Sequence, residues 1–356
     1  MISIIGAGPA GCYLGYLLAK NGKRVNIFED HSEIGKPVQC TGIITSSIEK
    51  LIKIKKEFLV NEIYKVRVIS PSGKILNFKL KNKNYVIDRE KFDKYLCQKA
   101  VEAGVNLYLN HRFTNFKDNK IYFDNKPSKK TDILVGADGP SSKVAKVSGL
   151  FKKRKFVIGL QARVSMKCEK DLVEFYLDKN YFGWIVPESD KIARVGIVAK
   201  FNVKDLFETF LKKINKKFKI INYQSGLIPI YDNSIKTNKN NIYLVGDAAT
   251  MVKPTTYGGL VQGLTASREL SKAILNNKNY ERLWRKKLGK ELKYGVLIRN
   301  VMDKFSNRDY DELFSLINKR KVKSIIENFD RDYPSKIVFK LLLKQPKLMK
   351  FIKKLY

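Results

Sequence analysis

The glycine pattern near the beginning of the chain constrains the fold more than any other feature. Gly6, Gly8 and Gly11 form a G-x-G-x-x-G sequence between an apolar run and a segment with leucines at helical spacing. Such glycines permit a tight strand-to-helix turn, close approach of a pyrophosphate and close packing of helix on strand. A second apolar run ends at Glu29, near the position about 20 residues further on where an acidic side chain accepts hydrogen bonds from ribose. Residues 1–30 therefore predict a βαβ unit that binds a dinucleotide.

Two later apolar runs also end in glycine and aspartate. Residues 133–136 lead into GADG at 136–139, and residues 242–245 lead into GDAA at 246–249. Ligands of open α/β sheets bind beyond the carboxyl ends of the strands. We therefore expect one ligand to cross more than one of these loops.

The middle of the chain changes to strand-like alternation. Residues 64–80 are typical of a β-hairpin around the PSG turn at 71–73. Four further strands are predicted at the spacing of an antiparallel meander: 157–165, 173–178, 181–187 and 192–199. The apolar cluster of Phe182, Trp184 and Pro187 fits either core packing or the lining of an apolar pocket.

Helical patterns occupy much of the remainder. We predict basic amphipathic helices over 48–58 and 206–218, a helix from Gly259 to about residue 274, and a helical region over 280–356. The last of these regions ends in alternating apolar and basic residues over 337–356, which Pro346 should divide into two short helices. These helices either lie in the interface of an anionic membrane or pack on the core of the protein, and the pattern supports both comparably.

Composition excludes several classes of protein. The 356 residues include 70 Lys and Arg against 34 Asp and Glu, a formal net charge of +36. Because the basic residues are spread along the chain without a nucleic-acid-binding module, drift in composition is the leading explanation, and we expect no nucleic-acid partner. The four cysteines lack C-x-x-C spacing and only two histidines occur, so we expect no metal site.

The lengths and positions of the apolar runs predict the cellular location of the protein. No run reaches the length of a membrane span, and the first apolar run directly follows Met1, which leaves no room for a secretory signal. We therefore expect a cytoplasmic protein.

Two single residues have open interpretations. Cys40 lies in a loop rich in turn residues after the predicted second strand, so it is either a small packing residue or part of an active site. Arg89 stands at a predicted strand-to-helix junction, where it either pairs with a phosphate or caps a surface turn. Spacing alone favours neither interpretation of Arg89.

The three glycine motifs resemble the FAD motifs of glutathione-reductase-like, hydroxylase-type flavoproteins. Within that superfamily the chain most resembles the geranylgeranyl reductase family, through KPVQCTG at 36–42, FGWIVP at 182–187 and KPTTYGG at 253–259. Three residues depart from the family pattern: Phe182 replaces a tyrosine, Val186 a phenylalanine and Tyr257 a glycine. The resemblance implies FAD rather than NAD.

The resemblance also implies site residues. Those implied to bind FAD are Gly6, Gly8, Pro9, Ala10, Gly11, Glu29, Asp30, Cys40, Thr41, Gly42, Arg89, Asp138, Gly139, Gly246, Asp247, Gly258 and Gly259. Cys40, Trp184 and Tyr257 are the implied catalytic residues. Phe182, Trp184 and Pro187 are the implied substrate-binding residues.

The implied reaction is reduction of isolated C=C bonds in geranylgeranyl chains of isoprenoid membrane lipids or their precursors. It requires reduced FAD, a proton and an external electron donor, with the protein peripheral at the inner face of the membrane. A flavin-dependent monooxygenase or halogenase would use the same FAD motifs. A non-catalytic basic flavoprotein that binds membrane or nucleic acid is a further alternative.

The expected fold class is α/β plus antiparallel β. We predict a discontinuous Rossmann-type FAD-binding domain over 1–62, 82–150 and 238–275. An inserted antiparallel-sheet substrate domain is predicted over 63–81 and 151–237, and a helical C-terminal region over 276–356.

Overall fold

The structure is a computed structural model that describes residues 1–328 and 330–355. Its strands, β1 to β17 in chain order, are Ile2–Ile5, Val25–Phe28, Ile43–Thr45, Leu59–Ile69, Ile75–Ile87, Asn106–Tyr108, Phe113–Lys117, Lys120–Phe123, Lys126–Lys130, Ile133–Gly136, Phe156–Ser165, Leu172–Leu177, Tyr181–Pro187, Ile192–Ala199, Lys219–Pro229, Asn238–Lys239 and Ile242–Leu244. Its α-helices, α1 to α11, are Pro9–Ala19, Arg89–Glu102, Lys143–Val147, Val203–Lys213, Leu260–Leu275, Tyr280–Trp284, Lys290–Met302, Asn307–Ile317, Arg320–Asn328, Pro334–Lys344 and Met349–Ile352. Short 3-10 segments cover Ser46–Lys50, Gly246–Ala249, Pro346–Leu348 and Lys353–Leu355, and Arg285–Gly289 forms a π-helical turn.

The chain divides into two compact units. Unit 1 contains Met1–Val38, Arg89–Lys155 and Ile228–Leu292, and unit 2 contains Gln39–Asp88, Phe156–Leu227 and Lys293–Tyr356. Among the described helices, none is both long and apolar enough to cross a membrane.

Unit 1 is built around a six-stranded sheet in the order β16-β17-β10-β1-β2-β6. The strands from β17 to β6 are parallel, and β16 joins the edge antiparallel to β17. Every residue of β1 and β2 is buried, as expected for parallel strands covered on both faces. The βαβ unit predicted from the glycine pattern is therefore confirmed.

Unit 2 contains an eight-stranded sheet in the order β15-β11-β14-β13-β12-β4-β5-β3. The predicted hairpin is confirmed as β4 and β5, and the four predicted meander strands are β11 to β14, which pair antiparallel in the order β11-β14-β13-β12. One face of this sheet packs on helix α4 through the buried Phe207 and Phe210. Helix α4 therefore covers only one face of the sheet.

Two predicted helices are wrong in extent. In the segment predicted as a helix over 48–58, only residues 48–50 are helical, as the end of the 3-10 segment Ser46–Lys50. The chain turns after Lys50 and enters β4 at Leu59. The helix predicted over 206–218 begins at Val203 and ends at Lys213, since Asn215 adopts a left-handed φ of +43° and strand β15 follows. In both places the pairing of a neighbouring strand overrides the local helical pattern.

The compact units also differ from the predicted domain boundaries. Residues 39–62 lie in unit 2 because β3 and β4 pair with β5. The C-terminal helices do not form a separate unit. Trp284 donates to Thr237 within unit 1 at 2.8 Å, whereas Phe314 packs on Phe78 within unit 2.

Candidate active site

The first two glycine motifs meet in unit 1 without space between them. Gly6 has a φ of +101°, and a Cβ atom added there would overlap the carbonyl group of Ala137. A Cβ atom at Gly11 would overlap the carbonyl oxygen of Gly6 and lie 3.2 Å from the Cβ of Ala137. Glycine is therefore required at both positions by the protein's own backbone.

The third motif packs against the first turn of α1. Gly246 has a φ of +62°, and a Cβ atom there would lie 3.1 Å from the Cβ of Ala10. The Ser267 hydroxyl of α5 donates to the carbonyl oxygen of Ala10 at 2.8 Å. The three loops therefore meet at one edge of the parallel sheet, as the sequence predicts.

Gly8 differs from the other glycines of its motif. A Cβ atom at Gly8 would meet no other atom within 4 Å. Pro9 follows in the first turn of the helix, where its missing N–H costs no hydrogen bond. The open backbone before a helix N-terminus is a cradle that suits an anionic pyrophosphate, so unit 1 fits a dinucleotide such as FAD.

Glu29 lies at the end of β2, beside this turn. Its Oε2 accepts a hydrogen bond from the Ala7 N–H at 2.7 Å, and its Oε1 accepts from the His31 N–H at 3.2 Å. Burial raises the pKa of Glu29, and these hydrogen bonds act in the opposite direction. Asp30 is exposed and lies 2.8 Å from the His31 ring. A contact between Glu29 and ribose stays a prediction, whereas Asp30 forms a surface pair with His31.

Arg89 and Asp247 lie in the same region of unit 1. The Arg89 guanidinium donates to both carboxylate oxygens of Asp93, at 3.1 and 3.0 Å. Burial raises the pKa of Asp247 to about 6, and the positive charge of Arg89 limits this rise. A Cβ atom at Gly259 would lie 2.9 Å from Asp247 Oδ1, so only glycine fits beside this carboxylate.

The loop after the third motif is tightly closed. The Lys253 N–H donates to the Gly258 carbonyl at 3.0 Å, and the Tyr257 N–H donates to the Lys253 carbonyl at 2.9 Å. Tyr257 has a φ of +57°, the left-handed region that favours glycine. This conformation accounts for the glycine in the family pattern at the position that Tyr257 occupies here.

Asp138 shapes the second motif. Its Oδ1 accepts from the Ser142 hydroxyl at 2.6 Å, and its Oδ2 accepts from the Val144 N–H at 3.0 Å. Burial raises the pKa of this carboxyl group. Gly139 completes the turn with a φ of +73°. Asp138 therefore supports the N-terminus of helix α3, whose N-cap residue is Ser142, and a direct contact with the cofactor stays a prediction.

Sequence reasoning missed Arg154. This buried guanidinium donates to the carbonyl oxygens of Phe151 at 3.0 Å, Pro140 at 3.2 Å and Ala248 at 2.8 Å. Pro140 follows the second motif and Ala248 belongs to the third, so Arg154 ties two cofactor loops together. Burial lowers its pKa to about 10. It lies within the sequence KKRK, where nothing distinguishes it from exposed lysines.

In unit 2 the loop that carries Cys40 is held by side chains from the sheet. Thr41 donates from its hydroxyl to Gln161 Oε1 at 2.8 Å. Arg194 donates to the Thr41 carbonyl at 2.5 Å and to the Ile87 carbonyl at 3.0 Å. The Cys40 thiol is partly exposed, is not in a disulfide and accepts from the Gly42 N–H at 3.4 Å.

The same glutamine fixes the Trp184 indole. Trp184 Nε1 donates to Gln161 Oε1 at 3.3 Å, and Gln161 Nε2 donates to Gln224 at 2.5 Å. Gly196 is the register partner of both Gln161 and Trp184, and a Cβ atom there would lie 2.5 Å from each of these side chains. The indole therefore crosses Gly196 to reach Gln161, a residue that sequence reasoning did not select.

Two further aromatic rings extend from Trp184. Phe182 lies 6.4 Å from the Trp184 ring and stacks on Phe175 at 5.4 Å between ring centroids. We call Phe175, Phe182 and Trp184 the aromatic row. Pro187 is not part of it, because strand alternation places its side chain on the opposite face of β13. Its carbonyl accepts from Asn61 at 3.0 Å.

The parallel sheet, the three loops at its carboxyl edge and Glu29 define a dinucleotide-binding domain of the flavoprotein type. The FAD binding domain family matches residues 1–204 of the chain. The chain is 30% identical to the digeranylgeranylglycerophospholipid reductase of Methanocaldococcus jannaschii, over 99% of this chain and 97% of that protein. It belongs to the geranylgeranyl reductase family of FAD-binding proteins.

Solved structures share the fold. A geranylgeranyl bacteriochlorophyll reductase-like protein from Thermoplasma acidophilum has a TM-score of 0.88 at 22% identity, over 100% of this chain and 98% of that chain. A flavin-dependent brominase has a TM-score of 0.72 at 18% identity, over 98% of this chain and 99% of that chain. Both likenesses concern the fold.

Proposed function

We propose that the protein is an FAD-dependent reductase that saturates C=C bonds of geranylgeranyl chains in isoprenoid membrane lipids or their precursors. The observation that carries this proposal is the similarity to the Methanocaldococcus jannaschii reductase over the full length of both proteins. The cradle at Gly8, with Glu29 beside it, supports the choice of cofactor.

Glycine-rich loops of unit 1 would hold the cofactor. The backbone around Gly8 would bind the pyrophosphate, and Glu29 would bind the ribose. Asp247 would bind the ribityl chain, and Gly258 and Gly259 would allow the flavin ring to approach the backbone. Bound FAD, once reduced by an external donor, supplies two electrons and one hydrogen to the alkene.

An isolated alkene has no carbonyl group to accept electron density, so its reduction requires a proton at the second carbon and stabilisation of developing positive charge. The aromatic row offers ring faces that attract positive charge. Gln161 fixes the indole of Trp184, and the partly exposed Cys40 thiol is our candidate proton donor.

An anaerobic reoxidation experiment tests this function. The protein is reduced with dithionite and then mixed with a geranylgeranyl phospholipid in detergent. We expect return of the oxidised flavin spectrum together with a mass increase of the lipid. A flavin that reoxidises only with oxygen, with substrate-dependent oxygen consumption, would instead indicate a monooxygenase or halogenase.

The outer face of α10 supports peripheral contact with an anionic membrane. Phe339 and Leu343 are one turn apart and are 65% and 66% exposed. The exposed Lys336, Lys340 and Lys344 flank them on the same helix. The break predicted at Pro346 is confirmed, but the helices after it pack on unit 2 through Leu348 and Phe351. We therefore assign membrane contact to α10 alone.

A further inference from the structure

Arg331 of unit 2 is a cation with a hydrogen-bond donor left unsatisfied within the part of the chain that the structure describes. Arg331 lies between α9 and α10, and its Nε atom is shielded from solvent without a hydrogen-bond partner among the described residues. Burial lowers the pKa of this guanidinium, and the neighbouring Asp332 and Asp330 offset the effect only in part. A shielded arginine donor of this kind is costly unless an anion or another acceptor satisfies it.

The two flanking carboxylates are already engaged. Asp330 accepts from the Ser47 hydroxyl at 2.6 Å, and Asp332 accepts from the Thr45 hydroxyl. Both hydroxyls are on the buried segment that follows the Cys40 loop. These bonds anchor Asp330 and Asp332, the residues on either side of Arg331, to the segment that carries Thr45 and Ser47.

The guanidinium lies at one end of the aromatic row. Its central carbon is 5.9 Å from the centroid of the Phe175 ring. Phe175 stacks on Phe182, and Phe182 contacts Trp184. Phe175 and Trp184 pack on the buried Val173 and Val186 but remain partly exposed. A charged group and an apolar path therefore join on one face of the sheet.

We propose that Arg331 binds the anionic phosphoester of the prenyl lipid, and that the prenyl chain extends from there along the aromatic row toward Trp184. This inference rests on the proposed function and adds to it the orientation of the substrate in its site. A planar guanidinium suits phosphate oxygens because its N–H groups can donate in pairs. Lysine at this position would keep the charge but lose the paired geometry.

Two substrates with the same chain separate the phosphate contact from the contact with the chain. Arg331→Gln and Arg331→Lys are compared with wild type in anaerobic reoxidation by a geranylgeranyl phospholipid and by geranylgeraniol, which has no charge. Loss of a charged hydrogen bond predicts a KM for the phospholipid about 10-fold to 100-fold higher in Arg331→Gln, with a smaller rise in Arg331→Lys. The KM for geranylgeraniol should stay within about 2-fold of wild type.

Controls address charge, folding and the source of the phosphate. Arg308→Gln removes one exposed positive charge from the same C-terminal region and should leave both KM values unchanged. Retained FAD and a cooperative thermal unfolding transition show that the variants fold. A glycerol phosphate concentration equal to the phospholipid KM should inhibit weakly, because it lacks the chain.

Three results would overturn the inference about Arg331. They are equal effects of Arg331→Gln on both substrates, no effect on either, or inhibition by glycerol phosphate as strong as competition by phospholipid, which would assign Arg331 to a free anion. If wild type is reoxidised by neither substrate, the proposed function fails instead.

Discussion

Gly8 and Gly11 belong to one motif but have different surroundings. A side chain at Gly8 projects into open space, whereas one at Gly11 overlaps the Gly6 carbonyl oxygen. Gly8→Val should therefore give a folded protein that does not retain FAD. Gly11→Val should lower the free energy of unfolding by about 3 kcal/mol or more. Flavin absorbance and thermal melting of both variants check this, and full FAD content in Gly8→Val would contradict it.

Asp247 makes the stability of the apoprotein depend on pH. Burial raises its pKa from 3.8 to about 6, so ionisation destabilises the folded state as pH rises through this interval. Asp247→Asn removes that ionisation. We expect the variant apoprotein to gain up to about 3 kcal/mol over wild type at pH 8 and almost nothing at pH 4.

Denaturant unfolding at the two pH values measures the difference between Asp247→Asn and wild type. The same variant should bind FAD more weakly, because the acidic group proposed to contact the ribityl chain is lost. An equal stability difference at pH 4 and pH 8 would show that the carboxylate is not desolvated.

The only role that we assign to Cys40 is that of proton donor in the proposed reaction. Cys40→Ala should retain FAD and slow reoxidation by prenyl lipid about 100-fold or more, in the range of a lost proton donor. Cys168→Ala is the matched control, since Cys168 is also partly exposed in unit 2 but donates to the Ser189 carbonyl at 3.1 Å. Equal rates for wild type and Cys40→Ala would make Cys40 a packing residue.

At the scale of the elements, strand pairing orients the indole of Trp184. Gln161 of β11, Gly196 of β14 and Trp184 of β13 are direct cross-strand neighbours. Gln161→Leu leaves the Trp184 N–H and the Thr41 hydroxyl without their acceptor, which costs at most about 1–3 kcal/mol for each of these partly buried groups. We expect slower reoxidation by lipid with unchanged FAD content. The fluorescence emission of Trp184 should also shift. The other tryptophan, Trp284, is fully buried in unit 1 and should not contribute to this shift.

Gln161→Glu is the conservative partner of this variant. It keeps an acceptor oxygen for both groups and should recover much of the reoxidation rate and the wild-type emission. If Gln161→Leu changes stability but neither the emission nor the rate, the glutamine is merely structural.

Strand pairing also explains why the helices predicted over 48–58 and 206–218 are wrong in extent. Residues 48–58 have helical spacing of apolar residues, but Leu59 begins a strand that pairs with β5 over most of its length. Leu59 pairs with Ile87 at the open end of this hairpin, beyond the residues 64–80 whose pattern predicts it, so the pattern within 48–58 does not reveal where the strand begins. The same reason applies to the early end of α4 before β15.

At the scale of the whole molecule, the large positive charge suits contact with an anionic surface. Phe339→Ser/Leu343→Ser should abolish sedimentation with anionic vesicles at low salt, and Phe201→Ser, which changes an equally exposed ring, should not. Each lysine near such a surface contributes about 1 kcal/mol, so wild-type binding should also weaken as salt increases. No wild-type binding at low salt would exclude this role of α10.

The sequence alone determined the parallel sheet, the three cofactor loops and most strands of unit 2. Glycine turns and strand alternation are local requirements, so they are visible in a single stretch such as residues 1–30. The tertiary structure decided which groups Arg154, Gln161 and Arg331 contact. Their partners are carbonyls, an indole and an aromatic ring from distant segments, so residue type and spacing do not distinguish them from the many other basic and polar side chains. Only the packing of these segments gives each of them its contacts.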